Sequence, residues 1–311
     1  MKKMNLGSSK IMVPAVAVGC MRMDGLKAEE AASYIEGCME VGANLFDHAD
    51  IYGNGECERI FGRACRLLAD GSSEFSRDKI FVQSKCGIVP GKMYDLSRDY
   101  ILKSVDGILE RLDMDYLDML ILHRPDALME PEEVAEAFDR LEQSGKVRYF
   151  GVSNQKPMQI ELLKRYVGQP LLVNQLQFSL PVSNMVANGL EVNMTTDGSA
   201  DRDGSVLDYC RLHDITIQAW SPFQMGNWKG LFLGSSEYPE LNEVLHELSE
   251  KYNATDNMIA TAWIMRHPAN MQMIAGTMNL RRMEEISTAS DLMITREEWY
   301  RLYLAAGHIL P

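Results

Sequence analysis

"ANLFDHADIYGNGECERIFGRACRLLA", residues 43–69, holds one complete unit of this chain's architecture. A short apolar run through Leu45 and Phe46 reads as a buried strand. Asp47, His48, Asp50 and Tyr52 follow at its end, then Gly53 and Gly55 at a turn. From Glu56 onward the apolar residues recur at three- and four-residue spacing, the period of an amphipathic helix. A buried strand, a polar turn and a helix make one βα unit.

Seven more units of this kind lie along the chain. Their apolar runs are "AVAVGC" (15–20), "KIFVQSKC" (79–86), "YLDMLILH" (116–123), "VRYFGVS" (147–153), "PLLVNQLQFS" (170–179), "ITIQAW" (215–220) and "MQMIAG" (271–276). Each precedes an amphipathic stretch. The runs are continuously apolar, as parallel strands covered on both faces must be. Ser97 and Pro157 stand at helix starts, where a capping hydroxyl and a pre-set φ are favourable. Eight such units predict an α/β fold, a (β/α)8 TIM barrel in a single domain over 1–311, with an N-terminal hairpin. A doubly wound sheet would want G-x-G-x-x-G after its first strand, and "GCMRMDG" does not supply it. Residues 255–268 and 295–307 read as extra helices. The polar, glycine-bearing stretch 181–204 is expected to be a long loop lying as a lid over the barrel mouth.

Composition narrows the function. The net charge of −13 argues against a binder of nucleic-acid phosphate. No apolar stretch approaches the length of a membrane span, and the N-terminus is a poor signal peptide. The six cysteines form no C-x-x-C pair, so reduced thiols in the cytoplasm are expected. No protein partner is readable.

In such a barrel, reactive groups gather at the C-terminal ends of the strands. Those ends carry Asp47 and Tyr52, Lys85, His123, Ser153 and Asn154, Gln175, Trp220 and Ser221, and Gly276 and Thr277. Taken singly, each has an ordinary explanation: an acid capping a helix, a packing tyrosine, a snorkelling lysine, a satisfied histidine. Together an acid, a phenol, an ammonium and an imidazole on three successive strand ends suit proton delivery to a carbonyl. A free tyrosine titrates near about 10, so the expectation is that Lys85 lowers the Tyr52 pKa and Asp47 keeps Lys85 charged. G-x-S-x-G is absent. A metal site from Asp47, Asp50 and His123 fits poorly with a lysine and a tyrosine among them, so no metal is expected.

"GANLFDHADIYGNGECE", "SKCG", "LDMLILHRPD", "GKVRYFGVSN", "QLQFS", "IQAWSPF" and "IAGTMNLRRMEEI" occur in the order in which the aldo-keto reductase family carries its motifs. Over nearly its whole length the chain resembles that family, particularly its bacterial general oxidoreductase members. The resemblance implies a barrel that binds a nicotinamide dinucleotide and reduces a small-molecule aldehyde or ketone. It implies Tyr52 as general acid, Lys85 and Asp47 as its support, and His123 as the group that places the carbonyl. Ser153, Asn154 and Gln175 would hold the nicotinamide carboxamide, and Trp220 would stack on the ring. Ser221 and Pro222 would lie along the pyrophosphate. Gly276 and Thr277 would open the eighth helix, Arg282 would grip a 2′-phosphate and Glu285 would meet the adenine. Ile286 stands where an asparagine is common, which removes one adenine contact. Arg282 favours NADPH over NADH. His48 and Asp50 are read as holding the turn, and Arg22 as reaching either the pyrophosphate or the substrate mouth. The same family includes cofactor-binding accessory subunits with slow turnover, the alternative reading.

Overall fold

The computed structural model describes residues 1–71, 75–227 and 229–310. Trp228, in the loop after the seventh apolar run, lies outside the described residues. The chain opens with strands β1 (Lys3–Asn5) and β2 (Met12–Pro14), an antiparallel hairpin. Then come β3 (Val16–Gly19), α1 (Ala28–Glu40), β4 (Leu45–Asp47), α2 (Glu56–Gly71), β5 (Phe81–Cys86), a small hairpin of β6 (Ile88–Val89) and β7 (Met93–Tyr94), α3 (Arg98–Leu112), β8 (Leu117–Leu122), α4 (Pro131–Gln143), β9 (Val147–Ser153), α5 (Pro157–Lys164), β10 (Leu171–Gln177), α6 (Asn184–Leu190), α7 (Val206–Leu212), β11 (Thr216–Trp220), α8 (Pro239–Tyr252), α9 (Asp256–Arg266), β12 (Gln272–Ala275), α10 (Leu280–Ala289) and α11 (Arg296–Ala305).

Strands β3, β4, β5, β8, β9, β10, β11 and β12 are parallel and pair in that order, and β12 pairs with β3 to close the ring. This is the (β/α)8 barrel that the eight apolar runs predict. The N-terminal hairpin sits against the starts of three strands. Gly7 N donates to Thr216 Oγ1 at 2.7 Å, and Gln272 Nε2 donates to the Pro14 carbonyl at 2.6 Å. Gly7 has φ +54, and a Cβ there would lie 2.4 Å from the Leu172 carbonyl oxygen, so only glycine permits this approach.

Local chemistry sets several element ends. Pro157 occupies the first turn of α5, where its missing N–H costs nothing. Ser97 stands at the N-cap of α3 but makes no capping bond; its hydroxyl donates to Asp95 Oδ1 at 2.7 Å instead. The extra helices α9 and α11 lock together: the Trp263 and Trp299 rings stack at 4.9 Å, and each indole N–H donates to the other's carbonyl.

The stretch 181–204 differs from the expected loop. It contains α6, whose Met185, Val186 and Ala187 are buried. Ser183 Oγ lies 2.8 Å from His308 Nε2, which also lies 2.7 Å from the Leu180 carbonyl. Tertiary burial of one short apolar face makes a helix from a stretch too polar overall to show one.

Candidate active site

Asp47 is the last residue of β4, and the chain then turns sharply. Gly53, Asn54 and Gly55 all have positive φ, a run that glycine and asparagine tolerate best. The turn brings Tyr52 back toward the strand end. In β5, Gln83 and Lys85 share the inward face, while Ser84 points outward to Glu58 Oε1 at 2.7 Å.

Lys85 is 1% exposed, and its ammonium makes three bonds: Asp47 Oδ2 at 2.8 Å, the His48 carbonyl at 2.6 Å and the Tyr52 hydroxyl at 3.2 Å. Burial pulls its pKa down, but Asp47 and Tyr52 outweigh burial and leave it above its ordinary value, so Lys85 stays charged. For Tyr52 the expected pull of Lys85 is present but does not prevail. Burial pushes the phenol above its ordinary value of 10, and the pull of Lys85 offsets only part of that rise. The phenol therefore holds its proton at neutral pH.

The His123 ring meets the Tyr52 ring edge-on, with centroids 6.2 Å apart. Burial first, then Lys85 and Arg124, hold its pKa well below the usual range, so it is a neutral imidazole at neutral pH. His48 is fully buried, its ring edge against Phe61 at 4.6 Å. Burial lowers its pKa to about 3, and neither ring nitrogen has a partner among the described residues. It packs and does not titrate near neutrality.

Beneath the four groups lies a layer of four glutamines, of which the sequence reading singled out Gln175 alone. Asp47 Oδ1 accepts from Gln83 Nε2 at 2.6 Å and from Gln175 Nε2 at 2.7 Å. Gln218 Oε1 accepts from Gln175 at 2.8 Å, and Gln218 Nε2 donates to Gln272 at 2.7 Å. All four glutamines are buried. The available signal was a polar residue in the middle of four otherwise apolar runs.

The expected cofactor residues fall on the same rim. Ser153 Oγ and Asn154 N both bond to the Gln175 carbonyl, at 3.1 and 2.9 Å, and Asn154 Nδ2 donates to Ser153 Oγ at 2.7 Å. The Gln175 amide nitrogen is committed to Asp47 and Gln218. Trp220 ends β11, half-buried, with Ser221 at φ +52 and Pro222 buried after it. The eighth helix differs from expectation: α10 starts at Leu280, capped by Asn279 Oδ1 on Arg282 N at 3.0 Å. Gly276 and Thr277 precede it. Arg22 Nη1 donates to the Gly276 carbonyl at 2.6 Å, and the Tyr34 hydroxyl to the Thr277 carbonyl. The Arg282 guanidinium is exposed with no partner among the described residues. Glu285 receives Thr255 Oγ1 at 3.3 Å. An aromatic face and carboxamides on the strand-end rim, with an exposed cation in the eighth unit, fit a nicotinamide dinucleotide.

All six cysteines are free and buried. Among the described residues no group of three or more histidine, cysteine, aspartate or glutamate side chains is disposed to hold a metal ion. No described helix is long and apolar enough to cross a membrane.

Comparison with known proteins agrees with this geometry. The sequence profile of the aldo/keto reductase family matches residues 15–303. The Bacillus subtilis (strain 168) protein "Uncharacterized oxidoreductase YcsN" is 35% identical over 293 residues, covering 91% of this chain and 90% of that protein. The thermostable aldo-keto reductase Tm1743, solved with the inhibitor epalrestat, superposes with a TM-score of 0.78 at 25% identity, over 98% of this chain and 100% of its own. An aldo-keto reductase from Klebsiella pneumoniae, solved with NADPH, has the same fold: TM-score 0.74 at 22% identity, over 97% of this chain and 94% of its own. The chain belongs to the aldo/keto reductase family and is an NAD(P)H-dependent oxidoreductase.

Proposed function

We propose that the protein reduces an aldehyde or ketone to an alcohol with NADPH and that Tyr52 delivers the proton. The observation that carries this reading is the single ammonium of Lys85, buried and shared between Asp47 and the Tyr52 hydroxyl. When bound, NADPH supplies the hydride to the carbonyl carbon. The rest falls to the chain's own groups. His123, neutral, hydrogen-bonds the carbonyl oxygen and holds it near Tyr52. Tyr52 Oη gives up its proton as negative charge develops on that oxygen. The phenolate that remains lies beside Lys85, whose charge is fixed by Asp47. A phenol that keeps its proton until that moment suits an acid that must be loaded before the reaction.

Ser153, Asn154 and Gln175 would hold the carboxamide, with Trp220 against the ring. Ser221, Pro222, Gly276 and Thr277 would follow the pyrophosphate, and Glu285 the adenine. The free guanidinium of Arg282 supports a 2′-phosphate partner, and the NADPH-bound structure of similar fold points the same way. The test is titration of tryptophan fluorescence with NADPH and with NADH, followed by NADPH oxidation in the presence of a carbonyl panel. Tight NADPH binding, weaker NADH binding and turnover are expected. Tight binding with no turnover on any carbonyl would move the protein to the accessory-subunit class, and no binding of either would sink the assignment.

A further inference from the structure

Arg124 follows His123 directly and is half-buried at the same strand end. The other half-buried arginines of the described chain are all engaged. Arg77 bonds Asp118, Arg98 bonds Glu136, Arg111 bonds Glu58, and Arg266 bonds the Ile294 carbonyl. Arg124 has no carboxylate or carbonyl partner among the described residues; its guanidinium carbon lies 5.9 Å from the centre of the Trp220 ring. The chain has 44 acidic residues against 31 basic, so counter-ions are plentiful, yet this partly desolvated cation has none. Leaving it so is costly, and a ligand anion would relieve the cost.

The surroundings define that ligand. Arg124 lines a cavity of about 230 Å³ with Asn154, Gln177, Trp220, Gln224 and Asn227. The side-chain amides of Gln177, Gln224 and Asn227 have no partner among the described residues. This lining has one cation, four carboxamides and one aromatic face. One guanidinium matches the two oxygens of one carboxylate. A phosphate dianion would want a second cation, and none lines the cavity.

We infer that the substrate is an oxo acid, a small aldehyde or ketone that also carries a carboxylate, with Arg124 as the anchor for that carboxylate. The inference rests on the reductase reading above and adds the substrate class to it. The unpartnered amides of Gln177, Gln224 and Asn227 take the remaining carboxylate lone pairs or hydroxyls along the carbon chain. For reduction the carbonyl end would have to reach His123, the residue before Arg124 in the chain.

The test compares succinic semialdehyde with its methyl ester, which share a carbon skeleton and differ in charge. NADPH oxidation should show kcat/KM about tenfold higher for the acid, mainly through KM. Arg124→Gln should bring the ratio of the two to about one, and Arg124→Lys should keep part of it. NADPH affinity, read from tryptophan fluorescence, should move by less than about threefold in both variants. A wild-type ratio at or below one overturns the assignment. So does NADPH binding without turnover of either compound. So too does an Arg124→Gln variant that loses NADPH affinity while keeping the ratio, which would seat Arg124 on the cofactor. Failure of NADPH to bind at all would instead remove the reductase reading on which the inference stands.

Discussion

The Lys85 ammonium stands 3.2 Å from the Tyr52 hydroxyl and 2.8 Å from Asp47 Oδ2. Each partner does something different. Asp47 keeps the buried lysine charged, and in the proposed reaction the charged lysine would stabilise the Tyr52 phenolate. Burial alone would leave both titrating groups neutral.

Tyr52→Phe should keep the fold and the cofactor affinity and lose turnover by roughly 10²-fold or more, the usual contribution of a general acid. Fluorescence titration and NADPH oxidation on one preparation separate the two. A variant that loses cofactor binding and turnover together would place Tyr52 in the cofactor site.

Lys85→Met leaves the Asp47 carboxylate buried without its cation. It should cost about 3–5 kcal/mol in urea unfolding. The double change Lys85→Met with Asp47→Leu should recover part of that stability but no turnover. Turnover in the double variant would remove the ion pair from the chemistry.

Asp50 should make stability depend on pH. Burial, with Glu58 adding to it, raises its pKa from 3.8 to about 7 in the fold. Between those values the folded protein holds a proton that the unfolded chain releases, so this group's contribution to stability is lost as pH rises toward and through about 7. Asp50→Asn should therefore lose less Tm than wild type between about pH 5 and pH 8, by roughly 2–4 °C per kcal/mol removed. Equal losses in the two proteins would count against a protonated Asp50.

Arg282→Ala should weaken NADPH by about tenfold and NADH by much less, because a charge-assisted hydrogen bond to a phosphate is lost only with the former. Parallel titrations read the difference directly. Equal weakening would mean that Arg282 meets a part common to both cofactors.

Gln218→Leu removes the group that bonds Gln175 and Gln272 within the barrel. It should cost about 1–3 kcal/mol, since buried amides lose their partners. A neutral result in thermal unfolding would show that the glutamine layer re-pairs without it.

Much of this was legible along the chain. Parallel strands covered on both faces must be continuously apolar, so eight runs could be counted, and the residues that follow each run mark one rim. The short-range pattern therefore determined the barrel and brought Asp47, Tyr52, Lys85 and His123 to one end. What it could not show depends on contacts between distant segments. Helix α6 forms because Met185 and Val186 find a buried surface. Helix α10 starts at Leu280 because Asn279 caps it. The net direction of the Tyr52 pKa follows from how deeply the closed barrel buries it, a competition between burial and Lys85 that residue identity alone does not decide. Gln83, Gln175, Gln218 and Gln272 become a network only when four strands bring them into one layer. Arg124 looks like any surface arginine in "LHRPD" until the fold sets it over Trp220 with no acidic partner among the described residues. Periodicity records which face a residue takes; only closure of the barrel decides which charges meet there and which are left for a ligand.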